Sequence, residues 1–98
     1  MAILLDNVSV DTVSGTFKGF GGSYIVYVRG DDFGGGTVEI QMASPNDSDA
    51  GPRFSALADG SLTENGQFKI DYLPSGYLIR AELTGSTSPV NVFVEISQ

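Results

Sequence analysis

A two-residue period in side-chain polarity, repeated in short segments, is the feature that most constrains how this chain folds. In the segment 37–42 the apolar residues Val38, Ile40 and Met42 alternate with polar ones. Such alternation directs one set of side chains to a core and the other to solvent, as in a half-buried β-strand. Glycines before the segment and the turn-forming stretch 45–52 after it bound this strand, because those residues favour turns.

Similar patterns predict about eight short strands, and no segment shows the period of a helix. The predicted strands span residues 3–10, 12–20, 23–29, 37–42, 54–58, 67–73, 77–84 and 90–96. Glycines interrupt the second of these, which predicts a short or bulged strand. Asp59-Gly60, leading into 61–63, and Asn65-Gly66 predict turns. Short strands with frequent turn signals are typical of an all-β antiparallel β-sandwich, and we expect a jelly-roll or immunoglobulin-like outline.

The length of the chain fits one domain. Its 98 residues lie within the usual size of a domain with its own hydrophobic core. We therefore expect a single β-sandwich domain over 1–98, with residues 1–5 as a possible contact arm. The apolar start of the chain is short, lacks basic residues and is followed by Asp6, so we expect neither a secretory signal nor a membrane span.

Composition excludes several classes of function. The chain has no cysteine and no histidine, which removes disulfides, thiol nucleophiles, zinc sites built on those residues and any Ser-His-Asp triad within it. Its net charge is −7, so phosphate backbones and anionic membrane surfaces should repel it. We therefore expect a protein that is not an enzyme, needs no cofactor and binds neither nucleic acid nor membranes.

Acidic residues suggest two kinds of site, and neither has a specific pattern. Asp47 and Asp49, together with Asp31 and Asp32, supply the oxygen ligands that calcium prefers. Their spacing lacks the glycine and the distal glutamate of an EF-hand loop, which favours a solvated turn. Nothing in the strand pattern places two of the twelve acids at the separation that glycoside hydrolysis requires.

Tyrosines allow a sugar-binding alternative. Tyr24, Tyr27, Tyr72 and Tyr77 are able to stack on sugar rings, although aromatic side chains at strand spacing more often belong to a core.

Some predicted strands have more apolar side chains than one core-facing side requires. In 23–29 both faces are apolar, and Phe93 falls on a face that is expected to be wet. Either a second layer covers these side chains, or they meet another subunit or protein. The residues that we predict to form contacts with a partner are Leu4, Leu5, Ile25, Tyr27 and Phe93.

Three short motifs resemble those of small virion proteins of tailed bacteriophages. They are the strand GTVEIQ at 36–41, the segment GYLIRA at 76–81 and the final alternating strand at 90–96, and the likeness extends over about residues 20–97. The resemblance implies a non-enzymatic capsid decoration or cement protein, assembled in the host cytoplasm and located in the virion. It also implies the major capsid protein or another virion protein as partner, and a homo-oligomer, with a trimer as first expectation and a dimer as second. A glycan- or receptor-binding module is the alternative.

Overall fold

The computed structural model describes residues 2–45 and 54–98, and this part of the chain contains nine β-strands and no helix. The strands are β1 Ala2–Val8, β2 Thr12–Val13, β3 Phe17–Lys18, β4 Tyr24–Arg29, β5 Thr37–Ala43, β6 Ser55–Leu62, β7 Gly66–Ile70, β8 Leu78–Thr84 and β9 Val92–Ser97. All of the pairings between them are antiparallel.

The strands form two sheets that enclose one core. Sheet A has the order β1-β9-β4-β7, and sheet B has the order β2-β8-β5-β6, with β3 also paired to β8. The pairs β1/β9, β3/β8, β4/β7 and β5/β6 are nested in sequence, as in one long hairpin folded over on itself. This connectivity is that of a jelly roll, so the predicted β-sandwich is confirmed and its outline is the first of the two expected.

The core consists of the inward side chains of both sheets. Its fully buried members include Val26 and Val28 of β4, Ile40 of β5, and Val94 and Ile96 of β9. Their alternating positions are those that the two-residue period predicts. No buried side-chain nitrogen or oxygen within the described ranges lacks a hydrogen-bond partner.

The beginning of the chain differs from the expected contact arm. Residues 2–5 lie in β1, which pairs along β9, and the register shifts between Ile3 and Leu5 because β1 carries a bulge there. The bulge turns Leu5 into the core, where only 1% of its surface is exposed. The prediction of Leu5 as a contact residue is therefore wrong, since its side chain is not accessible to a partner. Leu4 is partly buried and packs against the same core.

Local backbone reversals explain the other departures from the predicted strands. The turn expected at Asp59-Gly60 is a bulge within the continuous strand β6, where Asp59 has a φ of 60° and the register with β5 shifts. Val90, the first residue of the last predicted strand, is exposed because Asn91 adopts a φ of 51° just before β9 begins. Both residues are of the polar types that tolerate the left-handed region.

Candidate interaction surfaces

The outer face of sheet A carries most of the predicted contact residues. Ile3, Glu95, Tyr27 and Gln67 are paired in register across its four strands and form one continuous row. Ile25 lies on the same face, two residues before Tyr27 on β4. Ile25 and Tyr27 are 43% and 39% exposed, which is high for large apolar side chains on a central strand. This face therefore presents apolar surface that the fold itself does not cover.

Phe93 lies on the same face, but it is only partly accessible. It is paired with Arg29 across β9 and β4, and the Arg29 guanidinium carbon lies 5.0 Å from the centroid of its ring. The same guanidinium donates from Nη2 to Asn7 Oδ1 at 3.3 Å. A cation over the ring face is electrostatically favourable and shields the ring from water. The contact with Arg29 thus explains how the aromatic side chain of Phe93 is accommodated on the solvent-facing side of β9.

The structure brings three of the five predicted contact residues onto one face. Ile25, Tyr27 and Phe93 share the outer face of sheet A, whereas Leu5 is in the core and Leu4 packs against it. Ile3, which lies within the predicted contact arm 1–5 but is not one of the five named contact residues, is half exposed in the same row. The alternation placed it near Leu5 in one apolar run, and only the bulge in β1 sends the two to opposite sides.

The outer face of sheet B is built differently, around the buried polar side chain of Gln41. Its Nε2 donates to Glu39 Oε1 at 2.7 Å and to Glu82 Oε1 at 2.9 Å, and its Oε1 accepts from Arg80 Nε at 2.6 Å. The Arg80 guanidinium carbon lies 4.1 Å from the centroid of the Phe54 ring. Gln41 is 6% exposed, and both its amide nitrogen and its amide oxygen have hydrogen-bond partners within the chain. The polar side chains around it therefore form a satisfied hydrogen-bond network.

Glu39 and Glu82 form a pair of carboxylates that the sequence pattern did not reveal. They are directly opposite each other on β5 and β8, and both accept hydrogen bonds from the one amide of Gln41. The amide of Gln41 thus bridges the two carboxylates. The two carboxylates therefore serve the network of sheet B, where a bridging donor offsets the repulsion of like charges.

An acidic cleft of about 440 Å³ opens at one end of the sandwich between the loops that follow β4 and β6. Asp32 Oδ1 accepts from the Gly34 backbone N–H at 2.7 Å, and Asp31 Oδ2 accepts from Asn91 Nδ2 at 2.9 Å. These bonds fix the loop after β4. Asp47 and Asp49, the other members of the predicted calcium set, lie outside the described residues. Residues 2–45 and 54–98 contain no group of three or more acidic side chains placed to hold a metal ion.

The four tyrosines of the sugar-binding alternative do not form one platform. Tyr24 is buried, and its ring packs edge-on against Phe17 with centroids 5.5 Å apart. Tyr77 is half-buried against the core, and Tyr27 lies on the outer face of sheet A. Tyr72 is 66% exposed, because β7 ends at Ile70 and the buried residue that follows is Leu73. Of these four tyrosines, only Tyr27 and Tyr72 are exposed.

Comparisons with protein-family models, with curated proteins and with solved structures found no match for this chain. In the described ranges there is also no helix of the length and apolar character needed to cross a membrane.

Proposed function

We propose that this chain is a non-enzymatic structural protein of a bacteriophage virion, of the capsid decoration or cement kind, which binds the shell or its own copies through the outer face of sheet A. The proposal rests on the sequence resemblance and on the chemistry of that face. The jelly-roll fold carries no weight in it, because one fold hosts many functions.

The observation that carries the proposal is the position of Ile25 and Tyr27 side by side on a central strand of sheet A. With Ile3 on the edge strand and Phe93 on β9, they place four apolar side chains on one outer face. Tyrosine is among the residues enriched at the centres of protein interfaces. Arg29, Lys69 and Glu95 lie between and beside these side chains, which is the mixture of apolar centre and polar rim that interfaces contain.

The contrast with sheet B supports the same assignment. There the outward positions of the central strands are occupied by Glu39, Gln41, Arg80 and Glu82, whose hydrogen bonds are made within the chain. A partner on that face would have to break or desolvate a satisfied network, which is costly. The exposed side chains of Ile25 and Tyr27 on the outer face of sheet A are apolar, and covering them breaks no such network, so this face is the better surface for association with the major capsid protein, another virion protein or a second copy.

The test compares charge substitutions on the two faces. Tyr27→Asp and Ile25→Asp place a carboxylate within the outer face of sheet A. Val13→Asp is the matched control, because Val13 is also a half-exposed apolar strand residue but is paired with Glu82 on sheet B. The native mass is measured by light scattering over a concentration series. Binding to capsid shells of the bacteriophage to which the chain is proposed to belong is measured by co-sedimentation.

We expect the unchanged chain and the Val13→Asp variant to form a dimer or trimer, or to sediment with the shells, and the two sheet A variants to lose this association. Circular dichroism and thermal unfolding should show that all variants remain folded, since the substituted side chains are exposed. Equal association of all four proteins would contradict the proposal, as would a chain that is monomeric and does not bind shells.

A further inference from the structure

A short loop that follows β3 is held firmly against the loop that follows β7. Gly76 N–H donates to the Gly19 carbonyl at 2.9 Å, and Leu73 N–H donates to the Gly22 carbonyl at 2.8 Å. The Gln98 side chain donates from Nε2 to the Gly21 carbonyl at 2.9 Å. The two loops therefore run side by side at the end of the sandwich where β4 begins and β7 ends.

Each of these loops presents one large aromatic side chain to solvent. Phe20 is 77% exposed, although its own backbone N–H is bound to the buried Tyr24 hydroxyl at 3.0 Å. Tyr72, on the adjoining loop, points outward because the next residue, Leu73, points into the core. The two rings are thus carried on a backbone that is already fixed before any ligand binds, which reduces the entropic cost of binding.

The surroundings of the two rings are small and polar. Residues 19–23 read GFGGS and residues 71–76 read DYLPSG, and these segments contain one carboxylate and no cation. Lys69, which precedes them on β7, lies 3.8 Å from the Asp71 carboxylate. Rigid aromatic anchors between serine and glycine provide apolar contact together with adaptable hydrogen bonding.

We propose that Phe20 and Tyr72 form a binding site for a neutral oligosaccharide, with the rings stacked on the apolar faces of sugar units. The polar groups beside them, including the Asp71 carboxylate and the hydroxyls of Ser23 and Ser75, accept or donate hydrogen bonds to sugar hydroxyls. This site lies at one end of the sandwich and adjoins the outer face of sheet A, where Asp71 contacts Lys69, but it does not rest on the proposed virion role.

A sugar fits this surface better than a protein does. The anchors of protein interfaces lie inside a packed patch whose other contacts exclude water. Here, apart from Phe20, Tyr72 and the buried Leu73, segments 19–23 and 71–76 contain only glycine, serine, one proline and Asp71. A sugar unit offers a small apolar face edged by hydroxyls, which matches an isolated ring with polar neighbours. The net charge of −7 favours a neutral sugar over a sulfated or sialylated one, which the chain as a whole would repel.

The experiment measures binding of the whole chain to four neutral polysaccharides, a glucan, a mannan, a galactan and a polymer of N-acetylglucosamine, by affinity electrophoresis and by NMR titration. Heparin serves as the anionic comparison. The variants are Phe20→Ala, Tyr72→Ala and Tyr72→Phe, which keeps the ring. Val10→Ala is the control for an exposed apolar side chain elsewhere on the molecule.

We expect binding to at least one neutral polysaccharide, no binding to heparin, and a loss of affinity of about tenfold for each of Phe20→Ala and Tyr72→Ala. Tyr72→Phe should keep most of the affinity, and Val10→Ala all of it. Failure to bind any of the four polysaccharides would overturn the proposal, and so would binding that Phe20→Ala and Tyr72→Ala leave unchanged. If these two variants instead lose association with shells or with other copies, the rings are a protein contact and the sugar assignment is wrong.

Discussion

Arg80 donates from Nε to Oε1 of Gln41 at 2.6 Å, directly across the pair of central strands β8 and β5 of sheet B. This bond orients the Gln41 amide so that its two hydrogens point at Glu39 and Glu82. One buried amide thereby connects a cation and two anions, and each of its donors and acceptors is used. The stability of sheet B should depend on that side chain more than on any of the charges it joins.

Replacement of Gln41 by leucine should destabilise the fold by about 1–3 kcal/mol, because Arg80 loses its acceptor and the two glutamates lose the donor between them. The free energy of unfolding in urea measures the effect. Gln67→Leu is the control, since Gln67 is an exposed glutamine on the edge strand β7 and should change stability by less than about 0.5 kcal/mol. Similar values for the two variants would show that the network contributes no stability.

Leu5→Ala should lower the free energy of unfolding by about 2–5 kcal/mol, because it removes a fully buried side chain and leaves a cavity. Ile3 lies two residues before Leu5 and is half exposed. Ile3→Ala removes a similar side-chain volume, but it should lower the free energy of unfolding by well under half as much. Chemical denaturation of both variants checks the bulge in β1. If Ile3→Ala proves the more damaging, the register of β1 against β9 is not the one described.

Gly19→Ala should destabilise the chain by about 1–3 kcal/mol. A Cβ at this position would lie 2.5 Å from Leu73 Cδ2, and Leu73 is fully buried, so it cannot move without disturbing the core. Gly15→Ala is the matched control in a nearby loop, because a Cβ there meets no atom within 4 Å. Thermal unfolding should find Gly15→Ala unchanged or more stable by up to about 1 kcal/mol, since alanine restricts the unfolded chain. A neutral Gly19→Ala would contradict the close packing of the two loops.

Asp11 should titrate below its ordinary range in the folded chain. The Ser86 hydroxyl donates to Asp11 Oδ1, and the Ser86 backbone N–H donates to the same oxygen at 3.1 Å. Because these bonds favour the ionised carboxylate, they lower the pKa of Asp11 from 3.8. A lowered pKa in the folded state means that the bonds stabilise the chain above about pH 4 and that this contribution is lost as the pH falls through the folded pKa.

Ser86→Ala should therefore raise the pKa of Asp11 toward 3.8, because it removes the hydroxyl and leaves the backbone donor. The carboxyl carbon of Asp11, followed by NMR during an acid titration, reports the change. Ser88→Ala, in the same loop, should leave the titration unaltered. An Asp11 carboxyl that titrates alike in all three proteins would contradict the hydrogen bonds described between the β1–β2 connection and the loop before β9.

The alternation of side chains predicted most of the elements but not all of their limits. It located the central strands β4, β5 and β8 and the buried faces of each, because a strand with one face in a core must repeat every second residue. It was least accurate where a backbone reversal interrupts the period, as at Asn91 and within β6 at Asp59. A single residue with positive φ breaks the period, so that Val90 before Asn91 is exposed while Val92 after it is buried, and polarity alone does not locate such a residue.

The same alternation of side chains predicted part of the candidate surfaces. Ile25 and Tyr27 were recognisable because they occupy the second face of a strand whose first face is already apolar. Tyr72 was one of four tyrosines considered for sugar binding and Phe20 was not considered. The exposure of neither could be predicted, since exposure in a loop depends on how neighbouring loops pack. The Glu39–Glu82 pair was likewise invisible, because its members belong to strands that are far apart in the sequence.

The sequence by itself determined that this chain is all-β, where its central strands lie and which of their side chains face the core, because these follow from local polarity and turn chemistry. Only the tertiary structure decided the nested pairing of a jelly roll, the burial of Leu5, the carboxylates that share Gln41 and the two rings at one end of the sandwich. Those features depend on which strands and loops become neighbours, and that choice is made by the packing of two apolar faces and the hydrogen bonds across them.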